Sequence, residues 1–119
     1  MDFEALRAFC LSFPGATEEV QWGSDLLFKV GGKTFVFTGF NPPYPLSIKC
    51  SDEDFDALLE IEGIKQAPYL ARHKWVALEG TSTLPRKKLE SYIRKSYDAV
   101  FAKLTKKIQR NLDDADSGD

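Results

Sequence analysis

The sequence feature that most restricts the fold is a pair of apolar segments joined by two glycines, DLLFKVGGKTFVFTGF, at residues 25–40. Both segments are rich in Phe and Val, which are common in strands. Gly31 and Gly32 stand between them, and the two-residue turn of a β-hairpin favours residues that tolerate a positive φ at both central positions. The segment therefore predicts an antiparallel strand pair, and the rest of the chain must build a sheet around it.

The segments that follow this hairpin predict a loop and a further strand. Residues 41–45, NPPYP, contain prolines, which have no backbone N–H to donate to a neighbouring strand. Residues 46–50, LSIKC, alternate apolar and polar side chains with the period of a strand. We therefore expect a third strand after the proline loop.

Three other segments have the signals of helices. Asp2 can cap a first helix that ends at Pro14-Gly15, Ser51 begins a short second helix that stops at Gly63, and Pro85 opens the longest helix. The apolar stripes of the first and longest helices are Phe3, Leu6, Phe9, Cys10 and Phe13, and then Leu89, Ile93, Ser96, Tyr97, Val100, Phe101 and Leu104.

A second strand pair is predicted by IKQAPY at residues 64–69 and KWVALE at residues 74–79, on either side of LARH. Within the strand at residues 74–79, Trp75 and Ala77 share one face of the sheet, and Val76 and Leu78 share the other. The element order is then α-β(3)-α-β(2)-α. It predicts a two-layer α+β domain with helices packed on one face of a mainly antiparallel sheet.

The length of 119 residues predicts one domain, which we place at residues 1–110. The closing NLDDADSGD has little apolar surface to bury and predicts an acidic, flexible tail over residues 111–119. No apolar run approaches the roughly 20 residues that span a bilayer, and the N-terminus does not resemble a secretion signal. We therefore expect a cytoplasmic protein that does not interact with membranes, and we favour a monomer.

The charge of the chain is unevenly distributed. The net charge of −2 argues against a molecule whose whole surface is built for nucleic acid. Between Pro85 and Arg110, however, nine basic side chains stand against two acidic ones. This segment predicts a local basic surface, although an ordinary solvated helix face would have the same composition.

Few residues suggest reaction chemistry. His73 is the only histidine, and no cysteine or second histidine is spaced to complete a zinc site with it. Cys10 and Cys50 lie within apolar patterns, where a free cysteine behaves as a small buried hydrophobe. No serine or cysteine has the surroundings of a nucleophile elbow. The sequence therefore predicts no catalytic residues, no cofactor and no metal, and we expect a protein that is not an enzyme.

A basic turn beside a tryptophan is the best candidate site. Arg72, His73 and Lys74 directly precede Trp75 in the stretch APYLARHKWV. Cationic side chains in such a turn can contact phosphates, and Lys33 and Lys49 are further candidates. Exposed charges near strand ends also discourage sheets from pairing edge to edge, so both interpretations stay open.

Four stretches together resemble the MmcQ/YjbR family of small bacterial proteins, over Phe3 to about Lys107. They are FPGATEEVQWGSDLLFKVGGKTFVF, LSIKC, APYLARHKWVAL and SYDAVFAKL. The matching positions are Pro14-Gly15, Glu18, Trp22-Gly23, Phe28, Gly31-Gly32-Lys33, Lys49, Pro68-Tyr69, Trp75 and Ser96-Tyr97.

This resemblance implies a CyaY-like (frataxin-like) α+β fold in which two β-hairpins act as a double wing, and the family is generally described as DNA-binding. The wings would lie at Gly31 to Lys33 and at Leu70 to Lys74. The resemblance thus implies sequence-tolerant DNA binding, and the candidate phosphate contacts are the basic residues of the two turns and the third strand, Lys33, Lys49, Arg72, His73 and Lys74.

Two alternatives remain. The loop around Phe40, Pro42, Pro43 and Tyr44 has the aromatic and proline content of a surface for a protein partner, which would make the chain a non-enzymatic interaction or chaperone-like module. The CyaY-like fold also suggests metal handling by the acidic second helix, on fold analogy alone. The acidic residues in question are Asp52, Glu53, Asp54, Asp56, Glu60 and Glu62.

Overall fold

The computed structural model describes residues 1–21, 25–68 and 70–117, with the backbone alone at residue 71 and at residues 113–117. Trp22, Gly23 and Tyr69, three of the positions behind the family resemblance, lie outside the described residues. The helices are α1 (Phe3–Leu11), α2 (Asp52–Leu58), α3 (Arg86–Ala102) and α4 (Lys106–Ser117). The strands are β1 (Ala16–Gln21), β2 (Asp25–Val30), β3 (Lys33–Gly39), β4 (Leu46–Lys49), β5 (Ile64–Gln66) and β6 (Trp75–Leu78).

The six strands form one sheet in the order β1-β2-β3-β4-β6-β5, and each neighbouring pair is antiparallel. This arrangement confirms the predicted α+β class. The central hairpin is also confirmed, with Gly31 and Gly32 at φ values of 57° and 80°. A bulge between Phe28 and Lys29 shifts the register of β2 against β3, so the two strands are not paired evenly along their length.

The edge strand β1 is the one strand that the pattern analysis missed. Its sequence, ATEEVQ, contains two glutamates and a single β-branched apolar residue, which is poor strand composition. Pairing with β2 along all six residues makes it a strand. The Arg7 guanidinium of α1 also donates two hydrogen bonds to the carboxylate of Glu18, at 2.8 and 2.5 Å, and so attaches this edge to the helical layer.

A single core lies between the helices and one face of the sheet. Three rings at its centre meet edge to face or stacked, since Phe13 lies 4.7 Å from Tyr97 and Phe35 lies 5.3 Å from Tyr97, centroid to centroid. The Tyr97 hydroxyl donates to the carbonyl of Pro14 at 2.5 Å. Except for Phe101, which is half buried, the predicted apolar stripe of the longest helix is buried.

The side chains of β6 alternate as the strand pattern predicts. Val76 and Leu78 belong to the main core, whereas Trp75 lies outside it and packs edge to face against Phe37 at 5.3 Å. Trp75 is nevertheless buried, since only 7% of its surface is exposed. Its role is therefore structural, since little of the indole is free to contact a ligand.

The C-terminal part of the chain differs from the expected single long helix. Helix α3 ends at Ala102, and α4 begins at Lys106 after a turn. The side-chain amide of Gln109 donates to the carbonyls of Phe101 and Leu104, at 2.9 and 3.0 Å, and so attaches the start of α4 to the end of α3 and the turn that follows it. Residues 111–117, which the sequence assigns to a tail, continue α4 in the structure. Within the residues described, no helix is long and apolar enough to cross a membrane.

Candidate functional site

The strand directions bring several of the predicted site residues to one end of the sheet. Strand β4 is antiparallel to both β3 and β6. One end of the sheet therefore holds the first residue of β3, which is Lys33, and the last residue of β4, which is Lys49. The turn before β6, which contains His73, lies at the same end. Helix α3 runs back across the sheet and brings Lys103 to that end as well.

These four side chains surround a surface pocket of about 290 Å³, which we call the basic pocket. Its lining residues are Lys33, Thr34, Lys49, His73, Trp75, Val100 and Lys103. The lining thus contains three lysines and no carboxylate. Among the described side chains, none of these lysines has an acidic group within ion-pair distance.

Lys49 is the most constrained of the three lysines. Its ammonium group donates to the backbone carbonyl of His73 at 3.0 Å, which leaves two N–H donors unused by that bond. Partial burial lowers the pKa of Lys49, and the nearby charge of Lys103 lowers it further. Both causes disfavour the charged form of the amine, and a bound anion would offset both.

Ser96 holds the backbone of Lys49 in place. The pairing of β3 with β4 extends only to Val36 and Ile48, beyond which the two strands separate. At that point the Lys49 backbone N–H donates to Ser96 Oγ at 2.9 Å, and the Ser96 hydroxyl donates to the carbonyl of Phe35 at 2.7 Å. One buried hydroxyl on α3 therefore connects both strands where the pocket opens.

Arg72 and His73 lie at the rim. Both are exposed and belong to a 3₁₀ turn, Ala71–His73. The Arg72 guanidinium donates through Nε to Nε2 of His73 at 3.3 Å. The guanidinium thus stands beside the pocket through its contact with His73.

Lys74 points away from the other candidates. Its residue has a φ of 66°, in the left-handed region, and its ammonium group lies 4.0 Å from a carboxylate oxygen of Asp52. The same group lies 4.9 Å from the ring centre of Phe55. The side chain is thus directed to α2, and the structure does not bring it together with Lys33 and Lys49.

The first implied wing, Gly31 to Lys33, is exposed, and it contacts other elements at Gly31, whereas Gly32 faces open space. A Cβ placed on Gly31 would lie 2.7 Å from a Leu104 methyl and 3.3 Å from Ile108, so the first turn packs against the corner between α3 and α4. The second wing is the 3₁₀ turn rather than a tight hairpin turn. Basic residues from the two turns and from β4, namely Lys33, His73 and Lys49, line one pocket between these elements.

Sequence reasoning missed two residues that contribute to this site, Ser96 and Lys103. Ser96 was assigned to the core stripe, and Lys103 was counted only as part of the basic segment. Their spacing was the available signal, because Ser96, Val100 and Lys103 stand at i, i+4 and i+7 on one helix face.

The other two candidate surfaces have distinct surroundings. Phe3 stacks on Tyr44 at 5.1 Å and lies 5.9 Å from Phe40, and Val20 nearby is 58% exposed.

On the acidic helix, Asp52 and Asp54 pair with basic side chains of other elements. Within residues 1–21, 25–68 and 70–117, no three His, Cys, Asp or Glu side chains are grouped to hold a metal ion.

The fold and the site define a class: a two-layer α+β domain with an antiparallel sheet and a cationic pocket at one end of it. The YjbR family model matches residues 11–99, and the chain belongs to the YjbR family. The predicted family resemblance is thereby confirmed.

Two solved structures are similar to this chain. The crystal structure of DR2400 from Deinococcus radiodurans, which has a DUF419 domain, matches with a TM-score of 0.82 and 27% identity, over 92% of this chain and 86% of that one. A protein from Pseudomonas syringae matches with a TM-score of 0.68 and 16% identity, over 84% and 99% of the two chains, and this likeness concerns the fold alone. No functionally curated protein matches the chain.

Proposed function

We propose that this protein binds nucleic acid through phosphate contacts in the basic pocket, without strong sequence preference. The observation that carries the proposal is the convergence of Lys33, Lys49 and Lys103 on one pocket whose lining contains no carboxylate. Lysine ammonium groups bind phosphate as point charges, and contacts to phosphate carry no direct sequence information.

The surrounding charges favour a local contact. Lys74 pairs with Asp52, and Lys95 pairs with Asp54. The net charge of the chain is −2. Long-range attraction to a polyanion is therefore weak, and affinity must come from the few cations at the pocket.

We infer a binding role rather than a catalytic one. The charged groups lining the pocket are amines, and the Nε2 atom of His73 is occupied by Arg72. Lys49 has the lowered pKa that proton transfer would use, but its ammonium group already donates to the backbone carbonyl of His73. The pocket instead offers several hydrogen-bond donors to a negatively charged ligand. We propose a location in the cytoplasm, where nucleic acid is available as such a ligand.

A salt titration of DNA binding tests this proposal. The wild-type protein should bind two unrelated oligonucleotides with similar affinity at about 50 mM salt, and the logarithm of the affinity should fall linearly with the logarithm of salt concentration. Replacing Lys33 and Lys103 by Ala together should weaken binding to both sequences and make the slope shallower by about 0.9 per lost contact.

Lys74→Ala is the matched control, because it removes a cation directly next to Trp75 in the sequence, and the Lys74 side chain is directed to Asp52. It should leave affinity and salt slope nearly unchanged. Undetectable wild-type binding at low salt, or a double variant with an unchanged slope, would exclude the proposal.

The exposed aromatic surface supports a second candidate function, docking of a protein partner. Phe40 is 38% exposed, and it adjoins Phe3 and Val20 around one shallow cleft. Clustered exposed apolar side chains favour a protein ligand over nucleic acid. Phe40→Asp should then abolish capture of that partner while leaving DNA binding intact, as measured by affinity capture with the wild-type and variant proteins in parallel.

A further inference from the structure

We propose that the basic pocket takes a phosphomonoester, the terminal phosphate of a nucleic-acid strand or of a mononucleotide, in preference to an internal phosphodiester. The inference rests on the proposed function, and it specifies which phosphate group of the ligand enters the pocket.

The first argument is the placement of the cations. Lys33 comes from β3, Lys49 from β4 and Lys103 from the C-cap of α3, and all three line one cavity of about 290 Å³. Proteins that follow an internal backbone use a positively charged groove along the strand. A cavity with cations on several sides instead suits a group attached to the rest of its ligand through one ester bond.

The second argument is charge. A phosphomonoester carries about −1.5 to −2 at pH 7 and has three terminal oxygens, whereas a phosphodiester carries a single negative charge. Lys49 retains two N–H donors after its bond to His73, and Lys33 and Lys103 supply further donors. The greater charge and the additional oxygen of the monoester match this set better.

The third argument is the environment on the α2 side. The N-terminal turn of α2 contains Asp52, Glu53 and Asp54, and Asp52 lies near Lys74, one residue beyond the pocket-lining His73. A continuous backbone that extended beyond His73 towards α2 would approach these carboxylates. A strand that ends in the pocket avoids this repulsion.

The test compares three labelled single-stranded oligonucleotides of one sequence, with a 5′-phosphate, a 3′-phosphate or hydroxyl groups at both ends, by fluorescence anisotropy with the full chain. We expect one or both phosphorylated forms to bind about tenfold more tightly than the hydroxyl form. Adenosine monophosphate should compete with the phosphorylated oligonucleotide, and adenosine should not.

Lys49→Gln and, separately, Lys103→Ala should remove most of the preference for the phosphorylated end. Lys103 is exposed, so its variant keeps the test valid if Lys49→Gln fails to fold. Lys88→Ala is the matched control, since Lys88 is an exposed lysine near the other end of α3 and should not affect the preference.

The outcomes separate this inference from the proposed function. Equal, salt-dependent affinity for all three oligonucleotides overturns the phosphomonoester preference but leaves nucleic-acid binding in place. Binding of the mononucleotide with no binding of any oligonucleotide supports the phosphomonoester site and overturns the nucleic-acid function. Absence of binding to every ligand overturns both.

Discussion

Lys49 shows how the surroundings of one side chain can prepare it for an anion. Its amine is partly buried, lies near Lys103 and has no acidic partner among the described residues. Its ammonium group donates to the backbone carbonyl of His73. A bound phosphate would offset the burial and the like charge that disfavour the charged form of this amine.

The titration of Lys49 should report this directly. Because burial and then the charge of Lys103 lower the pKa of Lys49, the amine should lose its proton at a lower pH than an ordinary lysine, whose value is near 10.4. Lys103→Ala should move the midpoint upward, and saturating adenosine monophosphate should do the same in the wild-type protein. The measurement is the ¹³Cε chemical shift of Lys49 followed against pH.

Lys88→Ala provides the comparison, because it removes an exposed lysine that does not line the pocket. A Lys49 midpoint that is the same in wild type and Lys103→Ala would show that the two ammonium groups do not interact.

Helix α3 contributes to the site through Ser96 as much as through Lys103. The Ser96 hydroxyl is fully buried and serves both the Lys49 backbone N–H and the Phe35 carbonyl. Backbone pairing between β3 and β4 does not reach this point. The helix thus replaces a missing strand-to-strand contact, and it does so next to the lysine that the pocket requires.

Ser96→Ala should therefore lower the free energy of unfolding by about 2 to 3 kcal/mol, because it leaves two backbone groups without their partner. Chemical denaturation monitored by circular dichroism measures this loss. Ser91→Ala, at an exposed position of the same helix, is the control and should change stability by less than about 0.5 kcal/mol. Similar stabilities for the two variants would show that water replaces the hydroxyl.

The contact between α1 and β1 should make stability depend on pH in the acid range. The hydrogen bonds from Arg7 lower the pKa of Glu18. A carboxyl with a lowered pKa in the folded state stabilises the protein above the usual glutamate range, near 4.3, and loses this contribution as the pH falls through the folded-state pKa.

Glu18→Gln should therefore lower the melting temperature slightly near pH 7, and the difference from wild type should shrink as the pH falls below about 4. Differential scanning calorimetry across pH 3 to 7 measures both. Glu62→Gln, at an exposed position after the end of α2, is the control. A Glu18→Gln difference that is constant with pH would mean that the ion pair does not contribute.

At the level of the whole molecule, one continuous core joins the elements. Buried residues of α1, α2 and α3 belong to the same apolar cluster as those of strands β2 to β6. The corner between α3 and α4 packs against the turn at Gly31, and Gly15 lies against Leu112 of α4. The site at the end of the sheet is therefore built on a single packed unit.

We accordingly expect the protein to unfold in one cooperative transition. Tryptophan fluorescence and far-ultraviolet circular dichroism should give coincident thermal curves, with an unfolding enthalpy of about 80 kcal/mol for a domain of this length. Two separated transitions, or a calorimetric enthalpy well above the van't Hoff value, would show that part of the chain folds independently.

Much of the fold was predictable because its signals are local. The two glycines between apolar strands, the Asp2 and Ser51 caps, and the apolar stripe of α3 each depend on residues close together in the chain. Strand β1 was missed because its residues are poor strand formers, and its pairing with β2 compensates for that composition. The break between α3 and α4 was missed because the basic residues continue across it.

The sequence by itself determined the α+β class, the helices and strands with strong local patterns, and which cations were available. Only the tertiary structure decided which of those cations meet. Lys33, Lys49 and His73 come together because β4 runs antiparallel to both β3 and β6, and Lys103 joins them because α3 returns to the same end. Lys74, adjacent to His73 in sequence, turns instead to Asp52. Residues that are adjacent in sequence constrain the backbone only over a few positions. The direction and pairing of the strands set which side chains distant in sequence share a pocket.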